Sequence, residues 1–358
     1  MNSRDFFPLR VCGTRVEPDG VAKTVMFDVP DHLMDIFAWR PGQHMSVRFN
    51  IDGEEHRRSY SISSSPYSGD PLRITVKRVK GGRVSNFIND TVQEGQTIDV
   101  MPPFGSFCLD PDETARRTHY FFGAGSGITP LFAMLNSVLT AEPHSVAHLV
   151  YGNTNAKSIL LQHELSVLQK AHPERFTINH VFSKPGWWSS AEYWRQGTID
   201  KAAIEALIAE YPPYAQDARY YICGPGDMNQ AVKSALMSID VPQNRIHMES
   251  YGAAPDLDTG IEGVDASAEL TLEGTRHLIS VSKGQTILHA AQSAGLKPPY
   301  SCQSGVCGAC RAKLTDGTVH MRARMALEDK DIKAGEILTC QSIPTAEKLT
   351  ISFDQTHR

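Results

Sequence analysis

Apolar and polar residues change rhythm twice along the chain. Up to about residue 110 they alternate singly, as in HMSVRFNI (44–51) and LRITVKRV (72–79), with Gly, Pro and Asp between the runs. A period of two puts alternate side chains on one face of a strand, so this part predicts an antiparallel sheet or barrel. From about residue 117 the runs become continuously apolar and alternate with helical periodicity. Strand segments THYFFGAG (118–125), SVAHLVYG (145–152), FTINHVFS (176–183) and ARYYICG (218–224) are interleaved with PLFAMLNSVL (130–139), SILLQHELSVLQKA (158–171), DKAAIEALIAE (200–210) and MNQAVKSALMSI (228–239). That alternation predicts a parallel sheet with helices on both faces. A third texture follows GAAPDLDTGIEGVDASA (252–268), whose Gly, Ala, Pro and Asp lack periodicity and mark a linker.

The boundaries expected from these shifts are 1–112, 113–252, a linker at 253–267, and 268–358. At 358 residues, with 41% hydrophobic and 21% charged residues, the chain has the length for several domains, each with its own core. A formal charge of −5 gives no basic footprint for nucleic acid. No apolar run approaches the roughly 18 residues of a membrane span, and the first residues lack the apolar core of a secretory signal. Seven cysteines in such a chain fit a reducing cytoplasm, where clustered thiols hold metal or do redox chemistry.

Three of those cysteines sit within SCQSGVCGACRAKL (301–314). Cys302, Cys307 and Cys310 have the spacing C-x4-C-x2-C, and Cys340 follows in ILTCQS, the pattern of a 2Fe–2S cluster held by four thiolates. The small residues between them let a loop turn tightly and aim N–H groups at sulfur. A structural zinc site is the alternative, but such sites usually pair two C-x2-C units and only one is present.

In the first part, EEHRRSYSISSSP (54–66) and KGGRVSNFI (80–88) carry candidate chemistry. An aromatic flanked by hydroxyls covers a flat ring system, an arginine grips a pyrophosphate, and a glycine pair before a helix start offers N–H groups to phosphate. Alone, these read equally as a strand surface and a hairpin turn. In the middle part, Gly123-Ala-Gly-Ser-Gly-Ile-Thr-Pro closes a strand and opens a helix, with Thr129 as its expected N-cap and Pro130 at its first position. Bare backbone at a helix start suits a pyrophosphate, although the spacing is not G-x-G-x-x-G. Cys223-Gly224-Pro225-Gly226-Asp227-Met228 repeats the strand-to-helix arrangement. Trp187, Trp188 and Trp194 lie in one loop segment, read either as a docking patch or as loop packing.

The cysteine pattern with KPPYSC resembles plant-type ferredoxins over residues 268–358. The two earlier parts resemble the ferredoxin-NADP reductase superfamily. The order of all three, carried by GEEHRRSYSI, VKRVKGGRVSNF and YSCQSGVCGACRAKL, resembles the reductase components of bacterial multicomponent oxygenases, among them phenylacetyl-CoA epoxidase and ketosteroid hydroxylase reductases. The resemblance implies a multidomain α+β protein: an antiparallel flavin-binding β-barrel, a parallel α/β nucleotide-binding domain and a C-terminal β-grasp 2Fe–2S ferredoxin domain. It implies flavin contacts at Arg58, Tyr60, Ser61, Lys77, Gly82, Val84 and Ser85, and the GG-x-x-S loop favours FAD over FMN. It assigns dinucleotide contacts to Gly123, Gly125, Gly127, Thr129, Pro130, Gly224, Pro225, Asp227 and Met228, an aromatic near the flavin at Tyr251, and the reacting edge to Ser61, Cys223 and Glu249.

Electrons would pass from NADH or NADPH through FAD and the 2Fe–2S cluster to a separate oxygenase, in the cytoplasm and without membrane or nucleic acid. The turn Asn153-Thr154-Asn155-Ala156-Lys157 holds no arginine to pair a 2′-phosphate, which favours NADH. A reductase for a non-oxygenase metalloprotein and a redox-sensing module are the alternative readings.

Overall fold

The structure is a computed structural model, describing residues 5–185, 194–214, 217–250 and 260–354. The chain divides into two compact units, one of Phe6–His56 with Tyr60–Tyr251, the other of Met1–Asp5, Arg57–Ser59 and Gly252–Arg358.

Six strands, β1 (Phe7–Val16), β2 (Ala22–Asp28), β3 (His44–Ile51), β4 (Glu54–Ser61), β5 (Leu72–Lys77) and β6 (Thr97–Phe104), form a sheet in the order β4-β3-β6-β1-β2-β5. An antiparallel bridge between Ile62 and Ile74 carries the chain leaving β4 onto β5, so the two edges meet. Leu9, Val11, Val25, Met45, Val47, Ile74 and Val100 fill the interior. The single-residue alternation read from the sequence is this inward and outward pleat. Helix α1 (Met34–Phe37) is a single turn, and α2 (Arg83–Thr91) lays Val84 and Ile88 into the barrel core while Phe87 meets Phe49 at 5.2 Å.

Strands β7 (Arg117–Ala124), β8 (Val146–Asn153), β9 (Phe176–Phe182), β10 (Arg195–Gln196), β11 (Asp217–Gly224) and β12 (Ile246–Ser250) form a parallel sheet in the order β10-β9-β8-β7-β11-β12. Helices α3 (Ile128–Ala141), α4 (Gln162–Ala171), α5 (Lys201–Glu210) and α6 (Gly226–Ser238) accompany it. Phe121, Leu149 and Tyr151 face a core with α3 and α4; Tyr120, Phe122, Val150 and Ile222 face one with α5 and α6. Two covered faces explain the continuous apolar strands. Helix α3 is apolar nearly all round because its outer side meets the barrel: Ala22, Phe107 and Leu109 join its core, and Ser137 and Ser65 hydroxyls lie 2.7 Å apart.

Two helix starts differ from expectation. Residues 158–161 are not in α4, because Leu161 is left-handed (φ 56°) and its N–H donates to Glu17 Oε2 at 3.0 Å. That bond to a buried carboxylate outweighs helix propensity. Thr129 is not an N-cap: α3 begins at Ile128 behind Gly127, and Thr129 Oγ1 donates to Ser126 O at 2.9 Å. Pro130 is tolerated in the first turn, where its absent N–H has no partner to lose.

The second unit carries β13 (Ala266–Leu272), β14 (Thr275–Val281), β15 (Arg311–Asp316), β16 (Val319–Met321), β17 (Glu336–Leu338), β18 (Ser342–Pro344) and β19 (Lys348–Ser352). Five of them form the mixed sheet β14-β13-β19-β15-β17, and β16 pairs with β18. Helix α7 (Ile287–Ser293), capped by Thr286 accepting from the His289 N–H, packs Ile287 and Ala291 on Leu270, Ala312 and Ile351. Helix α8 (Asp329–Lys333) lies between β16 and β17 in the chain. This is the expected β-grasp. The C-terminal part of the expected linker already packs with this unit: the Val264 N–H donates to Pro344 O at 3.0 Å.

At the N-terminal edge of the parallel sheet, buried His119 Nε2 is 2.8 Å from Glu142 Oε2, and Arg117 Nη1 is 3.3 Å from Oε1. Burial alone pushes the Glu142 carboxyl up, but His119, Ser145 and the Asp112 N–H outweigh it and hold it below its ordinary value. A depressed carboxylate stabilises the fold above its unfolded pKa, and that stabilisation is lost as pH falls through the folded value. Glu142→Gln is therefore expected to lower unfolding free energy at pH 7 by roughly 3 kcal/mol. In urea denaturation, the gap to the parent protein should close as the pH is taken down through the acid range.

Candidate electron-transfer site

In the parallel sheet the chain winds from β7 outward to β10 and then returns to β11 on the other side of β7. The carboxyl ends of β7 and β11 therefore form a topological switch point, where open α/β sheets bind ligands. Gly123, near the end of β7, is in register with Cys223 of β11, which is in register with Glu249 of β12. The predicted dinucleotide residues gather here.

The glycines are there for clearance. A Cβ on Gly127 would stand 1.9 Å from Cys223 O, and one on Gly224 would stand 2.7 Å from Met228 Cε. Gly125 has φ +54°, and a Cβ there would come 3.4 Å from Lys77 Nζ. The bare turn opens α3, and the Gly224-Pro225 step opens α6 with Asp227 in its first turn. Two helix starts beside a glycine turn form a cradle that fits a pyrophosphate. Thr129 and Pro130 are buried in the first turn of α3. Cys223 is fully buried, so its side chain is sheltered from bulk water. Tyr151, which sequence reasoning missed, holds the loop: its hydroxyl donates to Gly125 O at 3.0 Å and accepts the Leu160 N–H at 3.2 Å. Its sequence signal was weak, because a tyrosine in an apolar strand reads as core.

On the barrel, Arg58, Tyr60 and Ser61 all lie on β4. Arg58 and Tyr60 are two residues apart and so share a face. Arg58 is exposed, with Nη1 on Arg57 O at 2.7 Å; Tyr60 packs partly against the barrel core; Ser61 is buried. Lys77 ends β5. Gly82 is the N-cap of α2, and a Cβ there would approach Ser85 Oγ to 2.5 Å. Val84 is buried in the core at the start of α2. A helix start of bare backbone fits a flavin dinucleotide's phosphates. Tyr251 lies outside the described residues, as do Trp187 and Trp188; Trp194 packs against the core, with the Arg195 guanidinium 5.4 Å from its ring.

In the ferredoxin-like unit, the four predicted cysteines come together as two thiol pairs, Cys302 with Cys307 and Cys310 with Cys340. N–H groups of Cys302, Ser304 and Ala309 point at Cys307 and Cys302 sulfur at 3.4–3.5 Å. Hydrogen bonding from Cys307 pulls the Cys302 thiol down to about 4, while hydrogen bonding to Cys302 and burial push Cys307 up. Gly305 and Gly308 take φ of +78° and +72° to turn the loop. Thr339 Oγ1 donates to Cys310 O at 2.9 Å, and Gln341 Nε2 donates to Gln303 O at 2.8 Å, fastening the loop to the segment of the fourth cysteine. Four clustered thiols with N–H donors aimed at sulfur fit a 2Fe–2S cluster.

Family models agree with this division: "Oxidoreductase FAD-binding domain" matches residues 18–108, "Oxidoreductase NAD-binding domain" 121–234, and "2Fe-2S iron-sulfur cluster binding domain" 270–345. The chain is 36% identical over 352 residues to the ferredoxin reductase component of 3-ketosteroid-9-alpha-monooxygenase from Rhodococcus rhodochrous, covering 94% of each. It belongs to the family of oxygenase reductase components. The reductase is also 31% identical to one component of the 1,2-phenylacetyl-CoA epoxidase of Escherichia coli (strain K12), covering 93% of this chain and 94% of that one. Its fold is shared with phthalate dioxygenase reductase (TM-score 0.58, 23% identity, 97% and 98% covered) and with part of an intact type IV self-sufficient cytochrome P450 monooxygenase (TM-score 0.69, 22% identity, 97% and 41% covered). Among the described residues no helix is long and apolar enough to cross a membrane.

Gly127→Ala drives a methyl into the Cys223 carbonyl, so one of the two strand ends must move by about 1 Å. Displacement of that size beside the expected reacting edge should lower kcat/KM for the reduced dinucleotide by about 100-fold while leaving flavin absorbance intact. Steady-state kinetics with an artificial acceptor will measure it.

Proposed function

We propose that this reductase draws electrons from NADH at the switch point and delivers them, through FAD and the cluster, to a separate oxygenase protein in the cytoplasm. The observation that carries the reading is the presence in one chain of a bare-backbone dinucleotide cradle, a flavin-type barrel and a four-thiol loop. Bound FAD supplies the chemistry between them, taking a hydride, with its two electrons, and releasing those electrons singly to iron. The residues of the chain do the rest. Gly123, Gly125 and Gly127 admit the dinucleotide backbone, and the starts of α3 and α6 oppose its phosphate charge. Ser61, Cys223 and Glu249 are the reacting edge, Ser61 and Cys223 being buried enough to exclude water. Arg58, Lys77 and the Gly82–Ser85 turn hold flavin phosphate and ring. Cys302, Cys307, Cys310 and Cys340 ligate iron.

Two details support the finer choices. The Asn155 backbone N–H donates to Ser158 Oγ at 3.1 Å in the turn after β8, and that turn offers Lys157 but no arginine, which favours a free 2′-hydroxyl over a phosphate. None of the seven cysteines is joined in a disulfide, as a reducing compartment keeps them.

Cys307→Ser is expected to remove the cluster's visible absorbance and iron while flavin stays bound. NADH-driven cytochrome c reduction should then drop by about tenfold or more, with ferricyanide reduction largely kept. Unchanged iron content would defeat the ligand assignment. A kcat/KM that favours NADPH would defeat the coenzyme choice.

A further inference from the structure

We propose that His44, a residue outside the motifs, is a positioning residue that fixes the Glu249 carboxylate and so governs hydride transfer without governing dinucleotide binding. The inference rests on the reading of Cys223 and Glu249 as the reacting edge.

The backbone of Glu249 is pinned twice. It is in register with Cys223, and its carbonyl accepts from Asn229 Nδ2 at 2.8 Å. Its side chain is only 12% exposed and reaches toward β3, where His44 Nδ1 stands 3.6 Å from Oε1. A shift of about half an ångström closes this contact to a hydrogen bond, and such bonds often tighten only when ligand is present. The second oxygen, Oε2, is buried with no hydrogen-bond partner among the described residues.

His44 is placed for this contact. The β3–β6 pairing slips register between His44 and Ser46, and such irregularities re-aim side chains near functional sites. The ring is buried, edge-on to Phe104 at 4.3 Å and 72°. Gly105, at φ +118°, leaves the space above it: a Cβ there would fall 2.9 Å from both Nδ1 and Cε1. Cys108 also lies near Glu249; its thiol is pushed up to about 12 chiefly by burial and donates to Gly105 O at 3.3 Å. It stays neutral and offers no counter-charge.

A buried carboxylate with one unpartnered oxygen is free to change rotamer, and a ring nitrogen at ion-pair distance from the other oxygen holds it in one place. As hydride leaves a dihydronicotinamide the ring left behind becomes cationic, so a fixed anion at this edge favours the transition state over the ground state.

The test is anaerobic rapid mixing of the holoprotein with NADH, following flavin bleaching in the parent, His44→Ala, His44→Asn, Glu249→Gln and the double variant His44→Ala/Glu249→Gln. His44→Ala should slow the limiting rate about tenfold, with the dinucleotide dissociation constant within about twofold. Asparagine, which places a donor where Nδ1 stands, should restore most of the rate. The double variant should be no slower than Glu249→Gln alone, and the same cycle on denaturant unfolding should show non-additive coupling. If Glu249→Gln is slow while His44→Ala matches the parent, or if Ala and Asn are equally slow and the effects add, His44 is not the positioning residue. If Glu249→Gln matches the parent, the reading of the reacting edge fails, and the proposal with it.

Discussion

The approach of Gly127 to the Cys223 carbonyl is the constraint on which the rest of the structure depends. No side chain fits between the turn after β7 and the end of β11, so that seam stays bare. Bareness is what a dinucleotide needs, because its phosphates are held by N–H groups and helix starts, and any side chain would stand in the way. The same closeness brings Gly123, Cys223 and Glu249 into neighbouring register. The glycine loop and the proposed reacting edge are thus one feature: a change that opens the seam for a side chain also moves the edge.

Around that seam the fold supplies rigidity from several directions. Tyr151 ties the loop from beneath, and α3 is locked between sheet and barrel by apolar packing on both sides. The cluster loop solves a comparable problem with other means. Its glycines turn the backbone sharply, and side chains from the Thr339–Gln341 segment clamp it, so the loop is fastened to the segment that carries the fourth thiol.

Much of this was legible in the residue pattern, because the features involved are local. Period-two alternation marked the barrel, continuous apolar strands marked the parallel sheet, and C-x4-C-x2-C with a distant Cys340 marked the thiol loop. Features set by tertiary contact were not legible. The start of α4 depends on Glu17, far away in sequence, capturing the Leu161 N–H. The first turn of α3 begins at Ile128, because the glycine turn itself serves as the boundary that Thr129 was expected to supply. His44 looked like one more strand histidine. Its meaning came from a register slip, a glycine above its ring and a carboxylate on β12, none of which a linear pattern displays.

The central claim is that one chain converts hydride into single electrons. It is tested most directly by anaerobic titration of the purified protein with NADH, recording visible absorbance and low-temperature EPR together. The account predicts that flavin absorbance bleaches and that a rhombic signal of a reduced 2Fe–2S cluster follows. Flavin that bleaches while the cluster stays oxidised, or a protein reconstituted with both cofactors that responds to neither NADH nor NADPH, would contradict it.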